Sequence, residues 1–224
     1  MFDERYATLE PFSIAHVSAM AVCFGIIALY MLFIKKIKLD RFYETVIAVV
    51  MLLNEAVFLI WQFSSYGAGV EHLPLHLCTI SLYLNGISML TGKRAVIRYT
   101  AIFSFVGACI SIAVPMQGYT FPHFRYLHYY INHLLIALTS VYMLKETEGC
   151  NLKEALVSEL VLFVFVLTVI HPVNIAFGTE FMFLSVSSGY FSTVFASRNI
   201  IVYIAAFAIH ALLSFVYNQK VRKA

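Results

Sequence analysis

This sequence predicts an all-α membrane protein: a bundle of seven transmembrane helices with its N-terminus outside and its C-terminus in the cytoplasm. Three observations point there. The 224 residues are 61% hydrophobic and only 12% charged, where a soluble domain carries about 25% charge. The apolar residues fall into runs of about 20, the length a helix needs to cross a bilayer. The cations fall on alternate breaks between those runs, the pattern that sets topology in a multi-pass chain. With lipid as solvent, each span must satisfy its own backbone polar groups, and helices do this.

The segment MFDERYATLEPF before the first span is acidic. A leader peptide would open on basic residues, so none is expected. The spans are 14–34, 42–63, 73–90, 95–114, 124–144, 155–175 and 199–217. The first ends at KKIKLDR and the second at YGAGVE; the third starts near Pro74, a good first-turn residue, and ends at TGKR. PMQGYTFPH separates the fourth from the fifth, and KETEGCNLK the fifth from the sixth. The sixth connection, 176–197, is apolar but rich in small polar residues, which suits an interfacial or re-entrant segment better than another span. The whole chain, 1–224, reads as one transmembrane domain without internal repeats.

Seven spans put Lys35, Lys36, Lys38, Arg41, Lys93, Arg94, Arg98, Lys145, Lys153, Lys220, Arg222 and Lys223 on one side. Only Arg5, Arg125 and Arg198 fall on the other, and the richer side is cytoplasmic. The net charge of +3 is therefore topological, and nothing suggests nucleic acid as a partner.

The polar residues inside the spans collect toward the outer side. Seven of the eight histidines, all but His210, lie in or beyond the outer halves of the spans. Helical spacing places Glu55, Phe58 and Gln62 on one face, Cys78, Ser81 and Asn85 on another, and His128 with Asn132 on a third. His76 precedes Cys78, and His171 and Asn174 end the sixth span. Ionisable residues in a membrane usually face a bundle interior or a wet cavity, so these faces are expected to line one outward-facing pocket. His128 and His133 are the candidate bases; five residues apart, they diverge by about 140° on a helix, so at most one is expected to point straight at the pocket centre. Glu55 orients a histidine, carries a proton, or is structural, pairing with Asn54 or with a histidine. Arg125 and Arg198 flank the mouth, as interfacial anchors or as holders of a phosphate headgroup.

Cys78 beside an imidazole is a possible nucleophile, since a nearby base generates the reactive thiolate; the bland alternative is a small packed hydrophobe. Cys23 and Cys109 lack polar neighbours and read as packing, and Cys150 falls in a loop. The four cysteines have no metal-site spacing. His72 and His76 are four apart, but Pro74 interrupts them and no further ligand spacing follows. No metal and no cofactor are expected.

The block LPLHLCTIS (73–81) resembles the YwaF-like family of bacterial integral membrane proteins. That family is similar to a eukaryotic transmembrane group of Cys/His phospholipid acyltransferases and, more distantly, to androgen-induced membrane hydrolases. FPHFRYLHYYINHLL (121–135) and FMFL (181–184) extend the likeness along most of the chain. An Asn-Tyr start and a following basic-Pro pair would be expected around FMFL; Glu180, Phe181 and then Ser-Val-Ser-Ser stand here instead. The resemblance implies a multi-pass protein of a bacterial plasma membrane. It also implies Cys78 and His133 as catalytic residues, with His128 as the alternative, and a membrane phospholipid or fatty-acyl ester as substrate. The expected function is a lipid acyltransferase or lipid ester hydrolase. The rival reading is a transporter or ligand-binding membrane protein that uses the same polar pocket.

Overall fold

The computed structural model describes residues 9–147 and 152–183, and every regular element among them is helical. Helices α1 (Ile14–Phe33), α2 (Arg41–Tyr66), α3 (Leu77–Thr91), α4 (Ile97–Ala113), α5 (Phe124–Glu146) and α6 (Leu152–Phe165) follow in order. A π-helical turn, Val166–Ile170, then leads into α7 (His171–Phe177). The predicted seventh span, 199–217, lies outside the described residues, as do Arg198 and Cys150. Among the described residues, three helical stretches are long and apolar enough to cross a membrane: Ile14–Lys36, Arg41–Tyr66 and Leu156–Phe177. Helices α3 and α4 are apolar but shorter.

Local chemistry sets the helix ends. Ser13 caps α1 through its side chain, which accepts from His16 N. Asp40 caps α2 by accepting from the backbone N–H of Phe42 and Tyr43 at 3.0 and 3.1 Å, satisfying donors that have no helical partner. Gly92 ends α3 in the left-handed conformation, φ 74°, which residues with a side chain rarely adopt. The start of α3 differs from expectation. Pro74 does not open the helix; Leu73 and His76 are both extended, and the helix begins at Leu77. The residue before a proline is driven out of the helical region, and that break separates His72 from His76. The π-turn has a parallel cause. Pro172 offers no N–H to the carbonyl one turn back, and its ring crowds that carbonyl, so the helix widens just before it.

Helix α5 is the axis of the bundle and packs against α1, α2, α3 and α4. Met51, Leu82, Ile112, Ile136, Tyr126 and Tyr129 form the main core around it. Gly86 lets α2 and α3 approach closely, because a Cβ there would stand 3.3 Å from Leu52. The outer faces of α1, α2 and α6 expose Leu29, Leu32, Leu53, Ile60, Leu160 and Val161. Such a surface suits lipid rather than water.

A charged girdle closes one end. The Glu44 carboxylate is buried and accepts from Arg41 (2.7 Å), from Tyr142 Oη (2.8 Å) and from Arg94. Arg41 also donates to Met89 O and Leu90 O, carbonyls at the end of α3. Arg94 bridges on to Glu146 at 2.8 Å, and Arg98 joins α4 to α6 through Glu154 at 3.0 Å. Glu146 lies past the predicted span 124–144. Burial works against its ionisation, but hydrogen bonds from Lys145 and Arg94 outweigh burial and hold its carboxyl below the ordinary range. A lowered folded value stabilises the fold above the unfolded carboxylate value, about 4.3. That stability disappears as pH falls through the folded value. Glu146→Gln is therefore expected to flatten the acid side of the melting-temperature profile, measured from about pH 6 to about pH 3. Wild type and variant melting in parallel would show that the contact adds nothing.

Candidate functional site

A cavity of about 60 Å³ opens between α2, α3 and α5, with room for a few water molecules. Six of the residues singled out from the sequence line it: Glu55, Cys78, Arg125, His128, Asn132 and His133. Phe58, Thr79, Leu82, Tyr129 and Ile136 complete the wall. Glu55 comes from α2, Cys78 from the first turn of α3, and the rest of the polar set from the first half of α5. Both histidines line the cavity. The cavity lies along α5, so residues on either side of Asn132 contribute.

A relay of polar contacts crosses one wall. Arg125 Nη1 lies 3.0 Å from His128 Nδ1. A guanidinium has only hydrogens to offer, so Nδ1 accepts. Nε2 in turn lies 3.5 Å from Glu55 Oε2. Asn132 Nδ2, 2.9 Å from the same Nε2, donates to Glu55 Oε2 at 2.8 Å. Asn54 Nδ2 donates to Asn132 Oδ1 at 2.5 Å. Phe58 stacks on His128 at 4.3 Å, and the Arg125 guanidinium lies 4.3 Å from the Phe58 ring centre. Glu55 is 4% exposed, and a carboxyl group so placed needs hydrogen-bond partners. Asn132 and His128 supply them.

His133 is held differently. Its Nδ1–H donates to Tyr129 O at 2.7 Å, which leaves the lone pair of the neutral ring on Nε2, the far side of the imidazole. Cys78 Sγ lies 3.3 Å from Ser111 Oγ on α4. Tyr129 Oη donates to Ser111 O at 3.0 Å and accepts from Met116 N, tying this corner to α5. The thiol's hydrogen bond among the described residues thus goes to a serine, while the imidazoles share its cavity. Ser111 had no sequence signal, because its partner lies 33 positions away and only the fold joins them.

Other sequence candidates stand elsewhere. Ser81 accepts from Ser104 Oγ at 2.9 Å between α3 and α4. Asn85 donates to Thr139 and Ser140 at 2.8 and 3.0 Å between α3 and α5. Both are buried packing contacts deeper in the bundle. Gln62 is half-buried, away from the cavity wall. His76 precedes α3 and meets Phe181 at 5.3 Å and Met182 N at 3.4 Å. Asn174 folds the chain after α7, donating to Phe181 O and accepting from Phe181 N and Thr179 Oγ1. His171 is exposed. Cys23 and Cys109 pack in or against the main core. Among the described residues no three His, Cys, Asp or Glu side chains group as metal ligands.

The sequence matches the TMEM164 family over residues 11–217. No curated protein and no solved structure matches it.

Proposed function

The chain belongs to the TMEM164 family, and on that premise of an integral membrane protein we propose that it transfers or hydrolyses acyl groups of membrane lipids through a Cys78 thioester. In this reading the bundle has seven spans in a plasma membrane of bacterial type, with the cavity facing outward. The observation that carries the proposal is that Cys78 and His133 line one cavity, with His133 Nδ1–H committed to a backbone carbonyl and its Nε2 left to act as base.

The steps follow from these groups. His133 Nε2 takes the thiol proton, and Sγ attacks the ester carbonyl carbon. The tetrahedral adduct collapses with loss of the alcohol oxygen, which takes the proton back from His133. A lysolipid leaves, and the acyl group stays on Sγ. His133 then deprotonates the acceptor hydroxyl, whose oxygen attacks the thioester, and the thiol is restored. Water as acceptor makes the protein a hydrolase; a lysolipid makes it a transferase.

Glu55 acts through His128 and Asn132 as a positioning residue. Glu55→Gln is expected to slow turnover about 10–100-fold, the usual effect of removing an orienting partner. Turnover is read as lysolipid and free fatty acid released from phospholipid nanodiscs by the wild type and by Cys78→Ala. Release in the wild type alone supports acyl transfer. Equal release from both eliminates Cys78 as nucleophile.

A second reading rests on the buried relay of Glu55, His128 and Asn132, which suits a proton or ligand binder. It expects pH-driven uptake into vesicles that survives Cys78→Ala and is lost with Glu55→Gln.

A further inference from the structure

We propose that Arg125 forms an anion seat in the cavity, occupied by the phosphate group of a membrane lipid. A guanidinium has five N–H donors. Among the described residues only His128 receives one, and no carboxylate lies within ion-pair distance. Arg125 is half-buried and lines the cavity, so its unused donors border the cavity space. A cation in a membrane protein is normally paired or turned to a wet cavity. Glu55 is the acid of this cavity, but His128 stands between it and Arg125, and its Oε2 is engaged by Asn132 and His128.

Two further features favour an anion. Arg125 sits in the first turn of α5, which contains no acidic residue and is capped by the His123 ring nitrogen. The start of a helix carries partial positive charge, so Arg125 adds to a field that an anion would relieve. The guanidinium is also held, 4.3 Å from the Phe58 ring centre and 5.4 Å from that of Tyr129. Little side-chain freedom is left to lose on binding, and the planar fork matches phosphate geometry. Carboxylate would fit the fork equally well. Phosphate is favoured because one phospholipid then supplies both the anion for Arg125 and the ester for Cys78; this choice rests on the acyl-transfer reading.

Trp61 is the only tryptophan in the chain, and its ring lies 5.8 Å from both Phe58 and Phe124. Its fluorescence therefore reports from beside the seat. The test uses the full chain carrying Cys78→Ala in detergent, titrated with short-chain phosphatidylglycerol, the matching diglyceride without phosphate, octanoate and inorganic phosphate. The expected result is a saturable change with the phospholipid and none with the diglyceride. Arg125→Gln weakens that binding about tenfold or more, and Arg125→Lys weakens it less. Diglyceride binding as tightly as phospholipid overturns the seat, and so does unchanged affinity in Arg125→Gln. Saturation by inorganic phosphate or octanoate alone overturns the assignment to a lipid phosphate. If Arg125→Gln does not fold, the phospholipid and diglyceride curves decide without it. Since Cys78 is absent throughout, lipid binding here stands or falls separately from thioester chemistry.

Discussion

A chain carrying His133→Ala is expected to turn over lipid about a thousandfold more slowly than the wild type, the scale lost with a general base. The reason is tautomeric. His133 Nδ1–H is fixed on Tyr129 O, so its basic nitrogen is the one remaining for chemistry. His128 is committed at both nitrogens, accepting from Arg125 and facing Glu55. Its replacement by Ala is expected to cost about 10–100-fold, as loss of a supporting residue does. Turnover of both variants in phospholipid nanodiscs checks this. A larger loss in His128→Ala would move the base to His128. Wild-type rates in both variants would remove imidazole from the mechanism.

Glu44→Ala is expected to destabilise the bundle by about 3 kcal/mol, at the low end for breaking a buried ion pair. The Glu44 side chain is 2% exposed, and Arg41, Arg94 and Tyr142 all donate to it. Arg41 is half-exposed and regains water when the carboxylate goes. The Tyr142 hydroxyl is buried and loses its acceptor, and Arg94 is freed to pair with Glu146 alone. Glu44→Gln keeps an acceptor and the shape, so it is expected to cost less. Thermal melting in detergent tests the order; an Ala variant melting within about 1 °C of the wild type would leave the girdle without a stabilising role.

Much of the fold was readable because lipid imposes a simple rule on sequence. Asp40 and Gly92 mark helix ends by local chemistry alone, and the apolar runs of α1 and α2 have no other reading. Local rules failed where two of them competed. Pro74 suits a first helical turn, but it also forces Leu73 to be extended, and the second effect sets where α3 begins. At the site, spacing identified faces but not depth. Cys78, Ser81 and Asn85 share a face of α3, yet only Cys78 reaches the cavity. Ser81 and Asn85 are taken up by Ser104, Thr139 and Ser140, small polar residues of α4 and α5 whose approach is a property of packing. Ser111 and the Arg125–His128 contact likewise depend on which helices neighbour one another and on how side chains rotate. The girdle had a partial signal: its cations were grouped by the charge rule, but their acids were not.

The most direct test of the central claim is the intact mass of the purified chain after incubation with mixed phospholipids, beside Cys78→Ala. Thioester chemistry predicts an acyl-sized mass increase in the wild type that hydroxylamine removes, and none in the variant. Lipid turnover with no adduct at Cys78, or the same adduct on Cys78→Ala, would contradict it.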